Sequence, residues 1–430
     1  MTEGTSTLAS VVQELSRKYA EPEWLKEMRE SAWNSYVNTP VVRLEKSDLS
    51  KRSWEIENLP LDVQSTASDA VDALVQSIVE SGAPVLYVRD GQVVRTEVPA
   101  SLSQRGVIVT DMHTAVAQHG ELVKAHLGSV VRTDESKWAA LNAALWQGGA
   151  FVYVPKNTAV DVAVHFVHED TGAGAGIAPR ILVVADENSS LSFVEVHVAS
   201  SEKASGVVTS HVAEVVAKAN ARVTFVSSNQ FRKGPTHFAT SRALVHQDAS
   251  VDWVFTDVGD GYTVGLLESE LQGSGSRSTI RALGMGYGRQ HLDLTASMLH
   301  EGRYSTSDIV MHGVLRGRAN SIYRSSTHIF KNAVGAGSEQ HDRMLMLDST
   351  ARADAIPMLL IDENDVQRCG HAASVGRIDE NQIYYLMSRG IPKPEATKMV
   401  VWGYLQPTVD AIPSAGVREF VSNLIDGELA

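Results

Sequence analysis

The chain has 430 residues, 43% of them hydrophobic and 21% charged, with a formal net charge of −13. That is enough chain to bury a large core in two or three structural units, and the acidic balance argues against a polyanionic partner such as nucleic acid. There is one cysteine, so no internal disulfide framework exists; no apolar run reaches the roughly 18 residues of a membrane helix; and MTEGTSTLASVVQELSRKYA lacks the basic start and apolar core of a signal peptide. A cytoplasmic location without membrane attachment is the expectation.

Residues 1–105 read as a mainly helical region with one hairpin. Pro22 suits a first helical turn, and Trp24, Leu25, Met28, Ala32, Trp33 and Tyr36 follow at helical spacing up to Pro40. Val71, Leu74, Val75, Ile78 and Val79 mark a second helix, stopped by Gly82 and Pro84. In VLYVRDGQVVRTEV, Asp90-Gly91 separates two alternating runs, which signals a type I′ hairpin.

Residues 106–368 change character after a short helical lead-in, for which Asp134 is the expected N-cap and Gly148-Gly149 the stop. Short alternating segments then follow one another: FVYVP, VAVHFV, ILVVAD, LSFVEVHV, RVTFVSS, VDWVFTD, IYRSSTHIF and MLLI. Small or polar corners such as Asn188-Ser189-Ser190, Ala219-Asn220-Ala221, Asp248-Ala249-Ser250, Gly317-Arg318-Ala319 and Ala351-Arg352-Ala353 punctuate them at roughly 30-residue intervals. The pattern favours a β-solenoid, and an antiparallel sandwich is the alternative that such strands also allow.

Residues 369–430 read as a helical unit. Asp379 caps a helix ended by Gly390, a second starts near Pro394 and stops before Pro407, and a third starts near Pro413.

Phosphate-binding loops are absent: there is no G-x-x-x-x-G-K-[ST], and Gly284, Gly286 and Gly288 precede a strand-like segment rather than a helix, so they read as a flexible corner. Gly172, Gly174 and Gly176 read as a mobile loop. His291 and Asp293 share one face of a strand, and His312 and the pair His341-Asp342 are further polar candidates. Hydrogen-bonded structural roles are the commoner fate of such residues. Asp362, Glu363 and Asp365 sit beside a turn and read as a solvated corner rather than an acid/base set.

The densest chemistry is in DVQRCGHAASVGRIDENQIYYLMSRG, where Cys369 stands two residues before His371. A thiolate and an imidazole bind transition metals or sulfur, yet one thiolate cannot complete a four-ligand site. Arg368 would favour the thiolate. The stretch reads as half of a site.

These residues also carry a resemblance. HLDLTASMLHEGRYSTSDIVMHGVLRGRANSIYRSSTHIFKNAVGAGSEQHDRMLML, ARADAIPMLLIDENDV and HAASVGRIDENQIYYLMSRGI resemble the SufB/SufD family of iron–sulfur cluster assembly proteins, as do EPEWLKEMRESAWNSY and DESKWAALNAALWQGGAFVYVP near the start. The resemblance implies a mainly β protein, a right-handed parallel β-helix flanked by an N-terminal mainly helical region and a C-terminal helical domain. It is nearest the SufD branch. Where SufB-type chains carry a cysteine, six residues before the proline that opens the last strand, this one has Ala351 ahead of Pro357. Where they flank the later histidine with glutamates, it has Gly370 and Ala372.

On that resemblance the chain is a non-catalytic scaffold subunit. It would pair with a SufB-like paralogue in a heterodimer and dock a SufC-like ABC ATPase, with a homodimer open to it in isolation. His371, with Cys369 as the less certain neighbour, would share a nascent iron–sulfur cluster held only in transit, and His371 would be the metal ligand. The competing readings are a self-contained β-helix enzyme acting on polysaccharide or acyl substrates, and a solenoid that is purely an adaptor.

Overall fold

The computed structural model describes residues 3–49, 69–172, 176–199, 207–231 and 234–429. Its centre is a parallel β-solenoid built from two facing sheets, one of ten strands and one of eleven among these residues. The chain alternates between them. Arg222–Phe231, Ser250–Gly259, Arg277–Gly286, Thr306–Leu315 and Gly337–Met346 stack in the first sheet, and Thr236–Val245, Tyr262–Leu271, His291–His300 and Asn320–Ile329 in the second.

The corners show why this sequence coils. Asn157, Asn188, Asn220, Asp248, Gly275, Tyr304 and Gly335 all take the left-handed conformation, with φ from 55° to 73°, once per coil at intervals of 27–32 residues. Asn, Asp and Gly tolerate that conformation best. Each corner N–H donates to a carbonyl at the matching corner of the next coil, from Asn157 to Glu187 at 2.8 Å through to Gly335 to Asp365 at 2.7 Å. The corners therefore form a ladder of their own and fix the coil register.

The interior starts apolar. Phe193, Phe225 and Trp253 stack in register, with ring centroids 5.0 Å apart at each step. Burying an aromatic or aliphatic side chain of this size contributes about 1.5–3 kcal/mol, which makes this column a main source of stability.

The expected N-terminal helices are present at Glu23–Asn38, with Leu25, Ala32 and Trp33 buried, and at Asp69–Ile78. Asp90 and Gly91, with φ of 46° and 77°, turn the expected hairpin between Val85–Arg89 and Gln92–Glu97. Its first strand pairs in parallel with Val164–Asp170, so the hairpin extends the first sheet. The lead-in helix Lys137–Leu145 is capped by Ser136, whose side chain accepts from the Ala139 N–H, and not by Asp134. A longer helix, Met112–His126, precedes it.

Two segments near the C-terminus differ from expectation. The stretch from 369 does not open the helical unit: Arg368–Arg377 is a ten-residue strand that extends the first sheet by pairing with Gly337–Met346. The helices follow at Glu380–Ser388, Lys393–Val409 and Ala415–Leu429, and Pro407 lies inside the second of them instead of beyond its end. Val401, Leu405, Val409, Val417, Val421 and Ile425 fold back onto the outer face of the first sheet, over Val226, Val254, Leu283, Met285 and Val314. No helix among the described residues is long and apolar enough to cross a membrane.

Candidate functional site at the open end of the solenoid

Following the inner columns along the axis leads to Cys369 and His371. The column Leu191, Val223, Val251 turns polar at Ser278, Ser307 and Ser338 and ends on Cys369. Its neighbour, Phe193, Phe225, Trp253, Ile280, Ile309, turns polar at Gln340 and ends on His371. Both residues therefore continue the inner face of the solenoid in its last coil. Across from them, Arg352–Ala355 and Met358–Ile361 close the same coil on the second sheet.

The floor beneath them is a hydrogen-bonded network. Ser307 donates to Ser338 (2.9 Å), Thr327 and Ser338 lie 2.9 Å apart, and the Gln340 amide donates to Thr327 (2.7 Å) and to the Met358 carbonyl (3.0 Å). Ser325 donates to Asp342 at 2.7 Å, while the other Asp342 carboxylate oxygen is buried without a partner. Burial raises the Asp342 carboxyl above its ordinary range, and the hydrogen bond from Ser325, with smaller contributions from His341 and His371, opposes that rise.

Cys369 behaves differently from the sequence expectation. Its side chain packs with Ile329, Ala333 and Ala336, and burial, reinforced by Glu339, raises its pKa. Arg368 does not offset this, because it projects to the outer face and faces Asp308 (3.4 Å) and Glu339 (3.9 Å). A half-buried thiol with a raised pKa is a weak ligand. His371 is exposed at the open end. At Gly370, a Cβ would stand 2.5 Å from a Glu339 carboxylate oxygen, so Glu339 fills the space beside this outer position.

Other sequence candidates fall apart in space. His291 and Asp293 share the outer face of their strand, where both meet Ser47, with His291 also 3.0 Å from Asn320 and Asp293 paired to Arg324 at 2.8 Å. They anchor the N-terminal segment. His341 points outward and Asp342 inward, so they form no pair. His312 lies under the helical unit, edge-on to Tyr404, and burial lowers its pKa to about 4. Asp362 accepts from His328 at 2.8 Å, and Glu363 caps the turn by accepting from the N–H groups of Asn332, Asn364 and Asp365, which hold its carboxyl down to about 2. Asp365 gives its carbonyl to the corner ladder. Gly284 and Gly286 lie within a strand and only Gly288 turns a corner. Gly174 lies outside the described residues, and Gly176 opens a short strand.

A buried polar edge inside the early coils escaped the sequence reading. It contains His168, Asp170, Glu195, His197, His211 and His237, all on the inner face. Pairs at i, i+2 on consecutive strands, His168/Asp170 and Glu195/His197, were the available signal. Further along, Asp257 accepts from Gln290 (2.8 Å) and Thr263 (3.0 Å), and burial raises its pKa to about 7. A folded-state pKa above the unfolded value means stability is full below about pH 4 and is lost as pH rises towards about 7. Asp257→Asn removes this dependence. Urea denaturation at pH 5 and pH 8 should show the variant gaining about 2–3 kcal/mol relative to the native chain between those two values.

Comparison with known proteins adds the family. The model described as SUF system FeS cluster assembly, SufBD core domain, matches residues 166–404, and that of the SufBD protein N-terminal region matches residues 18–166. The chain belongs to the SufBD family. Among its relatives, the iron–sulfur cluster assembly protein SufD of Bacillus subtilis is 35% identical over 437 residues, covering 99% of both chains. SufBD family proteins of Staphylococcus haemolyticus and Staphylococcus epidermidis are each 28% identical over 420 residues, covering 94% of this chain and 89% of theirs. In SufBD terms, the open end described above falls wholly within the matched core domain.

Proposed function

We propose that this chain is a SufD-type scaffold subunit of a cytoplasmic iron–sulfur cluster assembly complex. A SufB-like paralogue pairs with the last coil, and His371 contributes an imidazole to a nascent cluster that the two chains share. The observation that carries this reading is the strand Arg368–Arg377, whose outer edge has no neighbour among the described residues and whose inner face presents His371. An unpaired edge is a ready template for a second chain. The iron and sulfide are cargo here, and imidazole is a suitable ligand for iron while most thiolates come from the partner. Cys369 is auxiliary.

The C-terminal helices supply a second docking surface. Tyr384, Tyr385, Met387 and Met399 are exposed at 73%, 57%, 43% and 52%, a group of large apolar side chains that a SufC-like ABC ATPase would cover. This division of labour suits a sequence with no P-loop of its own, and it makes the isolated chain a scaffold without turnover.

Replacing His371 by Ala tests the shared site in a complex reconstituted with the SufB-like and SufC-like partners. The expected result is a fall in cluster assembly of about tenfold or more with the complex still intact on gel filtration. Assembly at the native rate would instead favour a pure adaptor.

A further inference from the structure

We propose that His168, Asp170 and His197 form an interior binding site for a divalent first-row transition metal ion, of the zinc(II) or iron(II) kind. The site is separate from the open end of the solenoid. It lies in the early coils, where Val164–Asp170 and Ser190–Ala199 run side by side with His168 and His197 in register.

The geometry converges. The two imidazoles are stacked, 4.4 Å between centroids, and each directs its Nε2 at a different oxygen of Asp170, at 3.1 Å for His168 and 2.7 Å for His197. One ligand atom from each of the three residues lies within 4.8 Å of the others. Tetrahedral zinc with bonds of about 2.0–2.1 Å sets neighbouring donors roughly 3.3 Å apart, so small side-chain shifts would admit the ion.

The bonding is unfinished without an ion. All three side chains are at most 1% exposed, yet beyond the contacts to Asp170 the Nδ1 atoms of His168 and His197 have no hydrogen-bond partner among the described residues. Leaving a buried polar group unmet costs about 1–3 kcal/mol, and the two stacked rings here each leave one such atom. Two imidazoles and a carboxylate are a donor set suited to zinc(II) or iron(II), with positions left open. His237, on the facing sheet with its ring 5.4 Å from that of His197 and its Nδ1 unpartnered, is placed to approach a further position. Glu195 is engaged with His211 at 2.9 Å and forms the next layer out. An ion held here would tie two neighbouring coils together, so that its binding free energy adds to folding.

The test uses the full chain alone, stripped with a chelator and titrated with cobalt(II) as the spectroscopic probe. One equivalent should bind with ligand-field absorption, and zinc(II) should displace it and raise the melting temperature of the native chain. Asp170→Asn, which keeps the side-chain shape, and the double change His168→Ala/His197→Ala should each weaken cobalt binding about 100-fold or more, with unchanged circular dichroism confirming the fold. His371→Ala should leave it unaltered. No cobalt band and no zinc-dependent stabilisation of the native chain would overturn the proposal, as would binding that survives Asp170→Asn or disappears with His371→Ala.

Discussion

Glu214→Ala should cost about 3–5 kcal/mol of folding free energy, the largest single loss expected from any side-chain truncation away from the site. Glu214 is fully buried and does two jobs at once. Its carboxylate accepts from Arg180, itself 0% exposed, at 2.5 Å, and from the backbone N–H groups of Gly128, Val130 and Val131 at 3.0–3.1 Å. Arg180 also donates to Asn142 at 3.0 Å, and Asn142 donates to the carbonyls of Pro179 and Ser210. This network joins the lead-in helices to the first full coils. Truncating Glu214 leaves a guanidinium buried without its counter-charge and three N–H groups without an acceptor. Chemical denaturation reads the loss directly. Because the network lies far from the open end, partner binding by the folded fraction should not change.

On the proposed function, Ala373→Pro should weaken pairing with a SufB-like partner roughly 100-fold, equivalent to about 3 kcal/mol, while changing the stability of the isolated chain far less. The asymmetry comes from the strand's hydrogen-bond alternation. Ile378, just past the strand, donates its N–H inward to Met346 at 3.3 Å, and in a parallel ladder alternate residues donate to the same side. Gly370, Ala372, Ser374 and Gly376 therefore face Gly337–Met346, while Cys369, His371, Ala373 and Val375 offer their N–H groups to the open edge. Proline at 373 removes one outward donor and adds bulk there, leaving the internal ladder intact. Surface binding against an immobilised partner, with native chain and variant at equal concentration, measures the difference.

Much of the architecture could be read from the chain because its corners are chemically distinctive. Asn188, Asn220 and Asp248 recur where only a left-handed residue fits, and Asp90-Gly91 could hardly be anything but a tight hairpin turn. The last strand was harder to see. RCGHAASVGR has little alternation, because from His371 to Val375 every residue is exposed and neither face is selected for burial. For the same reason the adjoining helix start at Asp379 dominated the reading.

Cys369 and His371 were visible as a pair, but their relative standing was not. Arg368 precedes the cysteine in sequence yet lies on the opposite face, and the contacts that raise the thiol pKa come from Ile329, Ala333, Ala336 and Glu339, some 30–40 residues earlier. The buried histidines were missed because strands with two apolar-lined faces read as ordinary core, and the solenoid instead keeps one inner edge polar. Only the coil register stacks His168 on His197.

The most direct measurement is hydrogen exchange across Arg368–Arg377, with the chain alone and with a SufB-like partner bound. Alone, the outward amides of Cys369, His371, Ala373 and Val375 should exchange at near-unprotected rates. On pairing they should slow by about 100-fold or more, along with the Met358–Ile361 segment beside them. Unchanged exchange along this strand in a complex that has demonstrably formed would contradict the account, because the partner would then sit elsewhere and His371 would not face a shared site.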